Sequence, residues 1–370
     1  MAAPSRTFDT RAVASAFALQ GDYVAADPYG SGHINDTFCL RMSQGGTPVR
    51  YILQRINHAI FRDPDGLMTN VARVCEHAQA KLRQAGAPDA TRRALTLVPT
   101  RSGKAWHTDP EGNRWRCYLF VEGATGHDII RDPAQAREAA RAFGAFQALV
   151  ADLPGGRLAE TIPDFHHTPS RFARFRQALK ADAQGRAKGV AREVDFVLAR
   201  AADMAVVTDG IAKGEIPERV THNDTKLNNV LLDDATQEGV CVIDLDTVMP
   251  GSALYDFGDL VRTSTSPAAE DETDLSKVAL QMPMAEALVS GYLSSAGAFL
   301  TARERELLPF GGKLMTLEVG MRFLTDWLEG DVYFKVKRPG HNLDRCRTQL
   351  RLVELIEARL PALQALVAKS

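Results

Sequence analysis

No run of about 18 apolar residues occurs in this 370-residue chain, so the sequence offers no membrane span. The apolar stretch 12–19 is short and closely follows Asp9, which reads as an amphipathic helix capped by Asp9 or Thr10 rather than a secretory leader. Cysteine is scarce and unpatterned. The five, at 39, 75, 117, 241 and 346, form no C-x-x-C pair, which excludes a disulfide framework and a zinc-finger pattern. Cys39, Cys117 and Cys241 sit in apolar runs, as buried reduced thiols do, so a reducing, cytoplasmic setting is expected. An excess of either charge is also missing. The formal net charge of -2 removes the global footprint of a dedicated nucleic-acid binder.

What is present is ordinary globular composition, with 45% hydrophobic and 24% charged residues, long enough for two domains or one large bilobal one. Texture changes along the chain. Strand-like segments at 23–29, 37–42 and 49–54 are separated by glycine turns, a helix follows at 65–84 with Asp65 as its cap, and strands at 104–107 and 115–121 flank a hairpin turn. Beyond Gly123 the periodicity is helical, at 133–152, 168–182, 190–212, 275–294, 303–330 and 343–367, interrupted by β-like sequence at 219–247. This predicts an α+β, bilobal protein-kinase-like fold: a small antiparallel-sheet lobe with a leading helix over 1–121, and a mainly helical lobe over 122–370 carrying the reactive loop and the substrate site.

The β interruption reads Val220-Thr221-His222-Asn223-Asp224-Thr225-Lys226-Leu227-Asn228-Asn229, an H-x-D-x-x-x-x-N pattern, and Ile243-Asp244-Leu245-Asp246 follows. Polar side chains packed so densely between apolar strands are costly unless they are used. Phosphoryl transfer would use them. One carboxylate must receive the proton of the attacking hydroxyl, while another carboxylate and an amide oxygen hold Mg²⁺ against a triphosphate. Asp224, Asp244 and Asn229 fit those jobs. Asp246 competes with Asp244, because two residues along a strand share a face. A buried turn formed by His222 and Asp224, with Asn229 capping a strand, is the plain structural alternative.

Segment 221–247 resembles the aminoglycoside phosphotransferase and choline kinase family. The phrases Gly30 to Thr37, Ile52 to Asn57, Thr221 to Asn229, Ile243 to Gly251 and Met321 to Asp326 are similar to its N-acetylhexosamine 1-kinase members. The resemblance implies an ATP- and Mg²⁺-dependent kinase that acts on the anomeric hydroxyl of an N-acetylhexosamine. Asp224 would be the catalytic base, and Asn229 and Asp244 the metal ligands. Sugar contacts would come from His33, Asn35, Asp36, Arg322 and Tyr333. The expected partners are the small-molecule sugar and ATP, without nucleic acid or membrane, and the expected assembly is a monomer or weak dimer.

On the nucleotide side, Gly30 and Gly32 lie in a turn where backbone N–H groups can approach phosphates, although a plain hairpin turn has the same sequence. Leu119 to Glu122 would form a hinge offering backbone groups to adenine. The usual third-strand lysine is replaced by Gln54, with Arg55 or another cation left to supply the charge and Glu76 as a possible partner. Arg322 has a second reading, an ion pair with Asp326 one helical turn on. Asp256 and Asp259 read as helix-capping residues. Segment 263–274 is acidic and loop-like, and 335–351 carries six basic residues against one acidic. An amino alcohol, homoserine or aminoglycoside acceptor is the alternative within the same fold, and a non-catalytic nucleotide-binding module the alternative outside enzymology.

Overall fold

The computed structural model describes residues 8–30, 32 and 34–370. Two compact units are present: one runs to Ala124 and takes in Leu153–Ile162, and the other comprises Thr125–Asp152 and Pro163–Ser370. The returning segment of the first unit is pinned by α2 (Pro64–Gln84), where the Asn70 amide exchanges two hydrogen bonds with the Ala159 peptide, at 2.8 and 3.0 Å. No compositional shift marks that return in the sequence.

The first unit opens with α1 (Thr10–Ser15), capped by Asp9, whose carboxylate accepts from the Ala12 N–H at 2.9 Å. Strands β1 (Asp22–Pro28), β2 (Asp36–Gln44), β3 (Thr47–Ile56), β4 (His107–Thr108) and β5 (Arg114–Leu119) form an antiparallel sheet in the order β1-β2-β3-β5-β4. Leu40, Met42, Leu53, Trp115 and Cys117 point to one face and bury Phe17 from the segment after α1. Burying each such side chain contributes about 1.5–3 kcal/mol. Strand alternation therefore puts Gln54 and its cross-strand partner Arg116 on the opposite face. A short helix, α3 (Ala90–Arg93), follows α2.

Two local expectations change here. Asp63, not Asp65, caps α2, because Pro64 takes the first helical position and Asp63 accepts from Gly66 N–H at 2.9 Å; Asp65 pairs with Arg114 instead. The strand expected at 104–107 shrinks to β4, since the Thr100 N–H donates to the Lys104 carbonyl in a tight turn.

The second unit starts at Thr125, within β6 (Ala124–Gly126), which joins β8 (Val230–Asp233) and β9 (Gly239–Val242) in a small sheet; β7 (Arg219–Thr221) pairs with β10 (Met249–Gly251). Its helices are α4 (Pro133–Val150), α5 (Thr168–Ala181), α6 (Ala191–Leu198), α7 (Val206–Ala212), α8 (Ala253–Ser264), α9 (Met282–Ala296), α10 (Ala302–Glu329) and α11 (His341–Lys369). The single helix expected over 190–212 breaks, because Ala199 to Asp203 offers no large apolar side chain to a core. Pro283 in the first turn delays α9 to Met282.

The acidic and basic segments pair. Arg262 reaches Glu270 at 2.9 Å, His341 reaches Asp271 at 2.9 Å, and the Glu272 carbonyl accepts from Thr348 Oγ1 at 3.0 Å. Arg347 and Arg351 pair with Glu193 and Glu354, both at distances of 2.6–2.7 Å. Segment 263–274 is thus tied down, and the arginines 338, 347 and 351 have carboxylate partners. All five cysteines are buried free thiols, and among the described residues no helix is long and apolar enough to cross a membrane.

Helices α8 and α10 meet backbone to backbone. A Cβ on Gly258 would stand 2.3 Å from the Gly311 carbonyl oxygen, far inside van der Waals contact. Gly258→Ala is therefore expected to destabilise the protein by about 1–3 kcal/mol through overpacking. Urea unfolding checks it, and an unchanged midpoint would show that the two helices are not held this close.

Candidate active site

The H-x-D-x-x-x-x-N segment leaves β7 and turns back into β8 through a 3₁₀ turn at Leu227–Asn229. Asn223 holds the bend with a left-handed backbone, φ 63°. Asn tolerates this region because its short amide bonds locally, here from Nδ2 to the carbonyls of Thr247 (2.9 Å) and Thr221 (3.2 Å). Beneath the bend lies Asp256 of α8, fully buried. Its carboxylate accepts from the backbone N–H groups of His222 (2.9 Å) and Asn223 (2.7 Å) and from Gln147 Nε2 (2.5 Å), while its own carbonyl accepts from Thr225 Oγ1 at 2.6 Å. Burial outweighs these donors and pushes the Asp256 carboxyl above its ordinary value. The helix cap expected of Asp256 is supplied by Ser252, whose Oγ accepts from Leu254 N–H at 3.3 Å. Asp259 forms an ion pair with Arg262 at 2.7 Å.

Asp224 emerges half-buried from this clamp. Lys226 Nζ lies 2.7 Å from Asp224 Oδ1, and Asn229 Nδ2 donates to the Asp224 carbonyl (2.8 Å) and to Oδ2 (3.2 Å). Burial opposes ionisation of Asp224, but the Lys226 ammonium more than offsets it and holds the carboxyl below the usual range. His222 has both ring nitrogens occupied: Nε2 donates to the Ile243 carbonyl at 2.9 Å and Nδ1 accepts from the Asp224 N–H at 3.3 Å. This fixes its tautomer and leaves it a supporting residue.

The Ile243 N–H donates to the Asn229 carbonyl at 2.9 Å, which sets Asp244 one residue from that contact. β9 has ended at Val242, and Asp244 adopts a left-handed backbone (φ 60°) before a 3₁₀ turn. The strand argument for Asp246 consequently fails. Asp244 is exposed and Asp246 buried, so the two do not share a face. Since Nδ2 of Asn229 is spent on Asp224, its oxygen is the end of the amide suited to a cation. An exposed carboxylate and an oriented amide oxygen fit Mg²⁺, which keeps waters and phosphate oxygens for its other positions. Among the described residues no three His, Cys, Asp or Glu side chains gather to hold a metal by themselves.

In the first unit, Gly30 has φ 81° and lies two residues past the end of β1, and no heavy atom lies within 4 Å of a Cβ built on it or on Gly32. Gln54 carries the cation question. Its Oε1 accepts from Arg116 Nε (2.9 Å) and Nη2 (2.6 Å), and its Nε2 donates to Thr37 Oγ1 (2.8 Å). The buried charge beside Gln54 is thus Arg116 on β5. Arg55 points to the other face and pairs with Asp36, and Glu76 faces solvent. At the expected hinge, Leu119 N–H is taken by the Thr96 carbonyl and the Glu122 carbonyl by Arg92 Nε. The Glu122 side chain pairs with Arg50.

The residues expected at the sugar divide between the units. His33 lies outside the described residues. Asn35 Oδ1 accepts from the Asn57 N–H at 2.9 Å, and Asp36 forms its ion pair with Arg55. In the second unit Arg322 forms no ion pair with Asp326, whose carboxylate instead accepts from the N–H groups of Val332, Tyr333 and Phe334 and from Asn342 Nδ2. Arg322 stands over the rings of Phe165, Phe334 and Tyr333, at 5.3, 5.7 and 5.9 Å, and lines a pocket with Tyr333.

Residues 26–306 match the phosphotransferase enzyme family. The chain belongs to that family. Its fold is similar to that of an aminoglycoside phosphotransferase from Alicyclobacillus acidocaldarius (TM-score 0.65, 16% identity, covering 99% of this chain and 98% of that one). It is also similar to a Plasmodium vivax ethanolamine kinase (0.51, 12%, 88% and 82%) and to a spectinomycin phosphotransferase in complex with ADP and spectinomycin (0.50, 11%, 91% and 94%). The H-x-D-x-x-x-x-N loop of this phosphotransferase thus stands on an α+β kinase-like fold. Sequence reasoning missed Lys226, Arg116 and the Asp256 clamp. Lys226 stood inside the motif, two residues past Asp224, whereas the other two show only as polar residues in apolar runs.

Asp256→Asn replaces one accepting oxygen with a donor and leaves a buried loop N–H unpaired, at a cost of about 1–3 kcal/mol. Faster hydrogen exchange at the His222 and Asn223 amides of this phosphotransferase is the expected outcome. Unchanged exchange at both would remove Asp256 as the clamp.

Proposed function

We propose that this phosphotransferase moves the γ-phosphoryl group of ATP to the anomeric hydroxyl of an N-acetylhexosamine, such as N-acetylglucosamine or N-acetylgalactosamine, giving the sugar 1-phosphate and ADP. The observation that carries the reading is Asp224, a half-buried carboxylate kept ionised by Lys226 and oriented by Asn229. Such a group can take the hydroxyl proton while the adjacent ammonium faces the transferred phosphoryl oxygens. Asn229 and Asp244 would hold Mg²⁺, which when bound would supply charge neutralisation to the phosphates. The complex of a related fold with ADP supports a nucleotide as the donor.

Gly30 and Gly32 leave their backbone open to phosphates. Gln54 offers its remaining amide hydrogen, polarised by Arg116, where other kinases present a lysine. With Leu119 N–H and the Glu122 carbonyl already used, adenine would be met by the Val121 peptide between them. For the sugar, Arg322 offers a planar donor fork and Tyr333 an exposed ring and hydroxyl, while His33, Asn35 and Asp36 would supply the first unit's contacts.

A second reading, phosphorylation of an aminoglycoside or amino alcohol, is favoured by the similarity to an aminoglycoside phosphotransferase and an ethanolamine kinase. Cationic acceptors need uncommitted carboxylates. Glu270, Asp271 and Glu272 are instead engaged by Arg262, His341 and Lys277.

Incubation with ATP, Mg²⁺ and a panel of N-acetylhexosamines, hexoses, amino alcohols, homoserine and aminoglycosides, read by phosphorus NMR, separates the readings. A hexosamine 1-phosphate signal is expected, to be lost by about 10²–10⁴-fold in Asp224→Asn with nucleotide affinity retained. A product phosphorylated elsewhere would sink the anomeric assignment, and near-normal turnover by the variant would sink the base.

Lys226 depresses the Asp224 carboxyl, so activity tied to the ionised form persists as pH falls until the lowered value is reached. Lys226→Met removes that depression. The acid limb of kcat/KM is expected to move to higher pH, and an unmoved limb would separate Asp224 from the pH dependence.

A further inference from the structure

The pocket around Arg322 holds more positive charge than a neutral sugar requires. Arg171 of α5 lines it with Arg322, and its hydrogen bonds run to a neutral acceptor, the Phe165 carbonyl, at 3.3 Å from Nε and 3.1 Å from Nη2. The two guanidiniums line one pocket, and burial together with the Arg322 charge lowers the Arg171 pKa. Arg322 itself has aromatic faces as its close partners and, among the described residues, no ion pair.

The neighbouring carboxylates are committed elsewhere. Glu329 is held by Arg174, at 3.0 and 2.6 Å. Asp326 is filled by four N–H donors. Glu318 accepts from Thr168 Oγ1 at 2.5 Å and meets His166 Nδ1 at 2.8 Å. The other nitrogen of His166 lies 3.0 Å from the Asn223 carbonyl. Glu318 is therefore engaged by Thr168 and His166 rather than by either arginine of the pocket. Arg171 and Arg322 thus share the pocket with two engaged carboxylates, Asp326 with its four N–H donors and Glu329 with Arg174. Two planar donor forks beside one another are suited to an oxyanion.

The position connects this pocket to the reacting loop. Glu318 precedes Arg322 by one turn of α10, and His166 joins Glu318 to Asn223, the residue before Asp224. We propose that Arg171 and Arg322 bind an oxyanion, a carboxylate or a phosphate ester, borne by the acceptor, so that the preferred N-acetylhexosamine is an acidic one. The acceptor part of this statement rests on the sugar-kinase reading above; the anion site itself does not.

The test labels arginines of the full chain with phenylglyoxal and reads each site by peptide mass spectrometry. Labelling is done at constant ionic strength in chloride, acetate or inorganic phosphate. Arg171 and Arg322 are expected to be protected at least about fivefold by acetate, phosphate or both, and the active anion identifies the source chemistry. Arg171→Met is expected to abolish protection of Arg322, and Arg171→Lys to restore part of it. The ADP-induced thermal shift is measured alongside, so that a misfolded variant is recognised. Equal labelling in all three salts overturns the anion site. Separately, kcat/KM is compared for N-acetylglucosamine, its 6-phosphate and its C6 carboxylate. Turnover of none of them, with protection intact, counts against the sugar-kinase reading and leaves the anion site standing.

Discussion

The Asp256 carboxylate is the interaction on which the reactive loop depends. A bend that carries Asp224 between two short strands leaves its own N–H groups without ladder partners, and buried N–H groups must be paired. Asp256 accepts from two of them in succession and anchors Thr225 through its carbonyl. Because Asp256 rides on α8, and α8 is pressed against α10 at Gly258 and Gly311, the position of the loop follows from helix packing. The motif supplies the functional groups, and the crossing of two helices supplies the place where they stand.

Charge is managed throughout by pairing at short range. The small net charge of the chain conceals segments of opposite sign that lock onto each other, as where Arg345 of the basic stretch stands 3.7 Å from Glu270 and His341 lies 2.9 Å from the Asp271 carboxylate. Pairs that lie at the surface, such as Arg351 with Glu354, each contribute little to stability, about 0–1 kcal/mol. Against this background three contacts differ: Lys226 pairs with Asp224 inside the loop, Arg116 donates to the neutral Gln54, and Arg171 donates to the Phe165 carbonyl.

The sequence made the two textures legible because periodicity survives in any context: alternation in β2, β3 and β5, and long apolar stripes in α4, α10 and α11. The H-x-D-x-x-x-x-N segment was legible because its spacing is local. The face expected to be shared by Asp244 and Asp246 is absent because the strand ends at Val242, before either residue. Ser252 rather than Asp256 caps α8, since the Asp256 carboxylate is drawn to the more demanding N–H groups of the loop. Arg116 escaped notice because its partner lies 62 residues away in sequence, on a neighbouring strand.

The sequence by itself determined the family, the α+β division and the reactive loop, since each is written in neighbouring residues or in a repeating pattern. Only the tertiary structure decided which cation stands behind Gln54, which of Asp244 and Asp246 faces outward, and that Arg322 stands beside Arg171 rather than pairing with Asp326. Those outcomes turn on which buried donors and acceptors find one another first. Side chains far apart in the chain compete for the same carboxylate, and a linear pattern holds no record of that competition.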